Sequence, residues 1–159
     1  MDAFVQPLYE LADFDAIIRQ LKKPGIVQVS GCLDSQKAHF TNGLLREFPF
    51  RLIVAENDLK AKAFYEDFRL YDPEVLYYPA RDLIFYQADI HGNLLTRQRI
   101  QVLRALLERE EVTIVTSIDS CLDCLVPLIL RLFKRKHLFK FPLPYRIRSI
   151  AETGFLLSG

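Results

Sequence analysis

The most informative stretch of this sequence is residues 26–38, IVQVSGCLDSQKA. It begins with a short β-branched run, Ile26–Ser30, which predicts a strand, and Gly31 then begins a turn. A helix is predicted from about Ser35 to Glu47, although the Thr41-Asn42-Gly43 run weakens it. This strand–turn–helix unit is the first of a series, and the series determines the predicted fold class.

The rest of the chain repeats the alternation of apolar strands and helices. Strands are predicted at 51–55, 75–78 and 112–116, and helices at 8–22, after a cap at Asn57 or Asp58, and at 94–110. Residues 80–93 are predicted to be irregular, with a turn at His91-Gly92-Asn93. Continuous apolar strands separated by helices favour a three-layer α/β fold, in which helices cover both faces of a mainly parallel sheet of four or five strands.

Helical spacing also predicts which side chains of two helices are buried. The predicted buried residues of the helix after Asn57 or Asp58 are Leu59, Ala63, Phe64, Phe68 and Tyr71, and those of helix 94–110 are Leu95, Ile100, Val102, Leu103, Leu106 and Leu107.

Length and composition exclude several classes of protein. The 159 residues, half of them apolar, support one globular domain, or one domain and a fragment of a second. No apolar run reaches the roughly 18–20 residues that span a bilayer, and the N-terminus, MDAFVQPLYELADFD, is acidic where a signal peptide is basic. We therefore expect a soluble, cytoplasmic protein, whose three cysteines are free thiols.

The charge is unevenly distributed along the chain. Residues 127–159 contain seven Lys and Arg against one Glu, a balance of +6, whereas residues 1–126 contain fourteen bases and nineteen acids, a balance of −5. We predict a domain over 1–127, followed at 128–159 by a basic tail or the truncated start of a next domain. The tail is interpreted as a basic helix on the domain, a connector, or a non-native ending.

The turn at residues 31–38 matches the position of a phosphate-binding loop, G-x-x-x-x-G-K-[ST]. In that loop glycine amides surround the phosphates, the lysine reaches the outer phosphates and the hydroxyl holds Mg²⁺. Gly31 and Lys37 are kept, but Gln36 replaces the second glycine and Ala38 replaces the hydroxyl residue. Asp34 adds a carboxylate, which repels an anion at ~4 Å by roughly 1–4 kcal/mol per charge pair. We expect a vestigial loop; a working nucleotide site is the alternative.

Cys121-Leu-Asp-Cys124 has the C-x-x-C spacing of zinc and thiol-redox sites. The chain has no second C-x-x-C motif, and its third cysteine, Cys32, lies on another loop. Three thiols leave a zinc site incomplete, so Cys121 and Cys124 are interpreted as small buried residues on a helix. We expect no metal site.

Other polar residues carry weaker signals. Asp82, Asp89 and His91 in the irregular segment, and the isolated His39, His137 and Asp119, are interpreted as solvated or capping residues. The tail interleaves aromatic and basic residues, and its candidate contact strip for nucleic acid is Arg131, Lys134, Arg135, Lys136 and Lys140. The preferred interpretation of that strip is a partly buried helix whose basic ends reach the solvent, or a connector to a missing domain. Direct binding of DNA through the tail is the alternative.

Several motifs together resemble a known family. They are Tyr78-Pro79-Ala80-Arg81-Asp82-Leu83 with Tyr86, then Arg97, Arg99 and Leu103 on the next helix, and Val115-Thr116-Ser117 leading to Leu125-Val126-Pro127. With these motifs, residues 1–127 resemble the N-terminal UvrB-like domain of the bacterial transcription-repair coupling factors. Only fifteen residues separate Tyr78 from Leu94, too few for the long aromatic hairpin of UvrB itself.

The resemblance implies a helicase-like fold, of the P-loop NTPase type, with a degenerate loop. It implies a non-catalytic interaction domain without a cofactor, while ATP and Mg²⁺ serve the separate motor of the full-length protein, a DNA translocase. The implied partners are UvrA, through the adjoining domain, and RNA polymerase and DNA for the full-length protein. The resemblance implies no membrane partner, and it identifies no UvrA-binding residue within 128–159.

Overall fold

A computed structural model describes residues 4–80 and 89–121 of the chain. Their elements, in chain order, are a 3₁₀ helix (Gln6–Glu10), α1 (Phe14–Leu21), α2 (Asp34–Leu45), β1 (Phe50–Ala55), α3 (Asp58–Phe68), β2 (Leu76–Tyr78), α4 (Asp89–Glu108), β3 (Val112–Ser117) and the short α5 (Ile118–Ser120). Three of the predicted strands are confirmed as β1, β2 and β3. The predicted boundary at 127/128 and the whole tail lie outside the described residues.

The three strands form one parallel sheet in the order β1-β3-β2. Phe50 of β1 pairs with Val112, and Leu76 of β2 pairs with Ile114, so β3 is the central strand. All six residues of β3 are buried, as expected for a parallel strand covered on both faces. The described ranges contain three strands of the four or five that the sequence predicts.

Helices cover both faces of this sheet. Ile114 of β3 belongs to a core cluster with Val102 of α4, whereas the next residue, Val115, belongs to a second cluster with Phe68 of α3. Successive strand residues point to opposite faces, so the two clusters are separated by the sheet. The general α/β class predicted from the sequence is therefore confirmed.

The N-terminal elements pack closely on α2. A side chain at Gly43 would overlap the Cδ1 atom of Leu8 and lie 3.0 Å from the Cζ atom of Phe14. The helix predicted over 8–22 is interrupted here, because the chain is extended at Leu11 between the 3₁₀ helix and α1. Glycine at position 43 thus allows the close approach of these helices, although it lowers the helix propensity of α2.

The prediction of a first strand at Ile26–Ser30 is wrong. Only Ile26 forms an isolated bridge, with its side chain 79% exposed, and residues 27–30 join no sheet in the described part of the chain. Strand formation requires a neighbouring strand that bonds the backbone, and β-propensity alone does not supply one. The strand–turn–helix unit is therefore reduced to a loop followed by α2.

Helix positions also differ from the sequence predictions. The turn predicted at residues 91–93 lies within α4, because glycine costs a helix interior only about 1 kcal/mol, which packing on the sheet outweighs. On α3, Leu59 and Ala63 are exposed while Ala61 is fully buried, so the buried face is rotated from the predicted one. On α4, Ile100 and Leu107 are exposed as well.

Candidate functional site

The predicted phosphate loop lies on the surface before α2. Gly31 is exposed and has φ +81°, a left-handed conformation that glycine adopts without strain. Leu33, in extended conformation, precedes the first helical residue and makes no side-chain cap bond. The loop therefore keeps the glycine-dependent turn, but no strand of the described sheet leads into it.

Lys37 and Asp34 form an ion pair on the first turn of α2. Lys37 Nζ donates to Asp34 Oδ1, and the two residues are three positions apart, so they share one side of the helix. The bond and charge of Lys37 lower the pKa of the Asp34 carboxyl. The lysine that would reach a phosphate is therefore already paired with Asp34.

The remaining two loop positions carry no phosphate-binding group. Gln36 is exposed on α2, and Ala38 is 2% exposed because its methyl group packs in the core cluster with Leu44. In a working loop this position supplies a hydroxyl to Mg²⁺ at the surface. Here the corresponding side chain is both apolar and directed into the core.

Polar groups converge where the three strands end. Asn57 caps α3 by accepting from Lys60 N at 2.9 Å. The next residue, Asp58, accepts from Ala80 N at 3.2 Å after β2 and from Ser117 Oγ at 3.5 Å at the end of β3. Asp58 therefore joins the ends of all three strands. Its sequence signal was limited to helix capping, because the link to β2 and β3 depends on strand order.

A second set of contacts joins α4, the ends of β2 and β3, and α5. Arg99 Nη1 donates to Pro79 O at 2.9 Å, and its guanidinium carbon lies 4.3 Å from the centre of the Tyr78 ring. Thr116 Oγ1 donates to Tyr78 O at 3.0 Å, and Ser117 Oγ lies 2.8 Å from Ser120 Oγ. The structure thus brings together Tyr78, Pro79, Arg99, Thr116 and Ser117, residues taken from the motifs that carry the family resemblance.

Two of the three cysteines lie within the described residues. Cys32 and Cys121 are free and half-buried, and burial raises the pKa of both thiols. Protonated thiols are poor nucleophiles and poor metal ligands. Within residues 4–80 and 89–121, no three His, Cys, Asp or Glu side chains are placed to hold a metal ion. Cys124, the other half of the C-x-x-C motif, lies outside those ranges.

The other candidate residues within the described ranges do not take part in these contacts at the strand ends. His39 contacts the carbonyl of Phe4 and stacks on Tyr71 at 5.4 Å between ring centres. Asp89 and His91 lie in α4, not in an irregular segment. Asp119 is exposed on α5. Asp82, His137 and the basic strip Arg131, Lys134, Arg135, Lys136 and Lys140 lie outside the described residues.

A cavity of about 340 Å³ lies elsewhere, along the outer edge of β2. Its lining includes Tyr65 of α3, Arg69 directly after that helix, Tyr77 of β2 and Gln98 of α4. Its lining contains neither Asp58 nor any residue of 31–38.

Comparison of the chain with models of known protein families, with characterised proteins and with solved structures found no match. In the ranges that the structure describes, no helix has both the length and the hydrophobicity needed to cross a membrane.

Proposed function

We propose that this chain is a non-catalytic interaction domain of a transcription-repair coupling factor, with a helicase-like fold whose phosphate loop no longer binds nucleotide. The observation that carries the proposal is the ion pair between Lys37 and Asp34 on the first turn of α2. The proposal also draws on the resemblance of residues 1–127 to the UvrB-like domain of those factors.

A triphosphate at this loop meets three obstacles. It must draw Lys37 away from Asp34, and it then lies beside a carboxylate that has lost its partner. Ala38 offers no hydroxyl to the accompanying Mg²⁺. Gln36 replaces the glycine that lets backbone amides curl around phosphate oxygens. These losses favour a domain that serves as a scaffold.

The residues of the motifs that carry the family resemblance contact one another, which supports a structural role for them. Arg99, Tyr78 and Pro79 are bonded to one another, and Thr116 is bonded to the same strand end. Such groups hold α4 and the strand ends in fixed positions, as a binding scaffold requires. In the proposed role the domain helps to recruit UvrA, through the adjoining domain, to a stalled RNA polymerase.

The proposal is tested with the natural full-length protein and purified UvrA. We expect immobilised UvrA to retain that protein. The unmodified protein and its Lys37→Ala variant should bind with equal affinity, because in the proposed role Lys37 binds no phosphate ligand. The 159-residue chain alone should release no phosphate from ATP above the buffer rate. Failure of UvrA to bind, or phosphate release that Lys37→Ala abolishes, would refute the proposed function.

A further inference from the structure

Asn42 and Gly43 lie in the second half of α2, the helix that covers Asp34–Leu45. Gly43 is buried and Asn42 is half-buried. The residues on either side of this pair, Thr41 and Leu44, have exposed fractions of 0% and 1%. An asparagine followed by glycine is chemically labile, because glycine has no side chain that would hinder the approach of its backbone nitrogen to the asparagine side chain.

The reaction open to this pair is deamidation through a cyclic imide. The backbone nitrogen of Gly43 loses its proton and bonds to Cγ of Asn42, and the side-chain nitrogen of Asn42 leaves as ammonia. Water then opens the ring. Opening at the Cγ carbonyl gives aspartate, whereas opening at the main-chain carbonyl gives isoaspartate, in which the chain continues through Cβ and Cγ. Water is the only co-reactant, and no electron is transferred.

The fold of α2 blocks the first step of this reaction. In an α-helix the Gly43 nitrogen donates its proton to the carbonyl four residues earlier, that of His39. Attack on Asn42 requires the loss of this bond and of the helical backbone conformation. A side chain at Gly43 would overlap the Cδ1 atom of Leu8 and lie 3.0 Å from the Cζ atom of Phe14, so the helix backbone is in close contact with the N-terminal elements. Movement of the backbone at Gly43 therefore requires these elements to separate from α2.

We propose that Asn42 is a deamidation site that the folded α2 protects, and that the isoaspartyl product cannot restore the packing of Gly43 against Leu8 and Phe14. The isoaspartyl linkage lengthens the main chain by one carbon, which interrupts the hydrogen-bond pattern of the helix where its backbone meets those side chains. A molecule in which α2 opens is thereby converted irreversibly into a less stable form. Neither UvrA nor nucleotide takes part, so the site is independent of the function proposed above.

Incubation of the full chain at neutral pH, in buffer and in urea above its unfolding midpoint, tests the protection. Peptide mass spectrometry quantifies aspartate and isoaspartate at position 42 over time. We expect deamidation at Asn42 to be at least about tenfold slower in buffer, because it proceeds only through the small population of molecules in which α2 is open. The pairs Asn57-Asp58 and Asn93-Leu94 are internal references whose second residues carry side chains, so in urea they should react more slowly than Asn42.

Two variants separate the modification from its effect on stability. The unmodified chain and Asn42→Gln are held in urea until Asn42 has largely reacted, and both are then returned to buffer. The unmodified chain should refold with a lower urea midpoint, or fail to refold. Asn42→Gln should keep its midpoint, because glutamine has to close a larger and less favoured ring. Asn42→Asp carries the new charge without the longer main chain, so its midpoint should be closer to that of the chain before incubation.

Three results would overturn the proposal. Equal deamidation rates at Asn42 in buffer and in urea would show that α2 gives no protection. A rate in urea no higher than at Asn57 and Asn93 would show that Asn42 is not a preferred site. An incubated chain that contains isoaspartate and refolds to its original midpoint would show that the packing at Gly43 tolerates the product. None of these results bears on UvrA binding or ATP hydrolysis.

Discussion

Replacement of the buried Arg99 by methionine should destabilise the fold more than replacement of Arg97 or Arg104, the exposed arginines of α4. Arg99 is 8% exposed, donates to Pro79 O at 2.9 Å and covers the Tyr78 ring at 4.3 Å. Methionine retains most of the apolar contact but removes the charge and the donor. The comparison with Arg97→Met provides a control, because Arg97 is exposed on the same helix.

The expected loss follows from these two contacts. A hydrogen bond from a charged donor contributes about 1.5–3 kcal/mol, and a partly desolvated cation–π contact contributes about 0.5–2 kcal/mol. Methionine also removes the desolvation cost of the buried guanidinium, and this gain offsets part of the loss. We therefore expect Arg99→Met to lower the free energy of unfolding by about 2–4 kcal/mol. Arg97→Met should change it by less than about 0.5 kcal/mol.

Urea unfolding, monitored by far-UV circular dichroism, measures the free energy of unfolding of both variants. With a slope of about 2 kcal/mol/M, the midpoint of Arg99→Met should fall by about 1–2 M at unchanged slope. Arg99→Lys should recover less than half of the loss, because an ammonium group lacks the planar face that stacks on Tyr78. Equal midpoints for Arg99→Met and Arg97→Met would refute the assignment of Arg99 as the group that fixes α4 to the strand ends.

Three further predictions concern the core, a helix cap and the thiols. Phe68→Ala should cost about 3–5 kcal/mol, because its side chain is fully buried, whereas Leu70→Ala, at 80% exposure, should cost less than about 0.5 kcal/mol; similar urea midpoints would contradict the core assignment. Asn57→Ala should cost about 1 kcal/mol, and Asn57→Asp should restore most of it, whereas an unchanged midpoint would show that the cap is dispensable. Cys32 and Cys121 should react with iodoacetamide at pH 7 more slowly than free cysteine, because burial raises their pKa and lowers the thiolate fraction; peptide mass spectrometry measures this, and faster reaction would contradict the burial.

Elements with a strong local signal were predictable from the sequence. The β-branched runs at 51–55 and 112–116 form β1 and β3, and the asparagine cap at position 57 begins α3 as expected. The run at Ile26–Ser30 has an equally strong local signal and forms no strand. The difference is pairing: β1 bonds to β3 along its whole length, and this depends on contacts distant in sequence.

The candidate site, too, was only partly predictable from the sequence. The departures from the phosphate-loop motif at Gln36 and Ala38 were evident from the sequence, because the motif specifies the residue types that are missing. The role of Asp58 was not predictable, because its bonds to Ala80 and Ser117 span 22 and 59 residues and exist only through the strand order. The sequence therefore shows which residue types of the motif are missing, whereas the contacts of Asp58 required the structure.

Isothermal titration of the full chain with Mg-ATP tests the central claim most directly. The ion pair between Lys37 and Asp34, together with the missing hydroxyl at Ala38, predicts no binding heat at millimolar nucleotide, and Lys37→Ala should give the same trace. Micromolar binding by the unmodified chain that disappears in Lys37→Ala would contradict the claim.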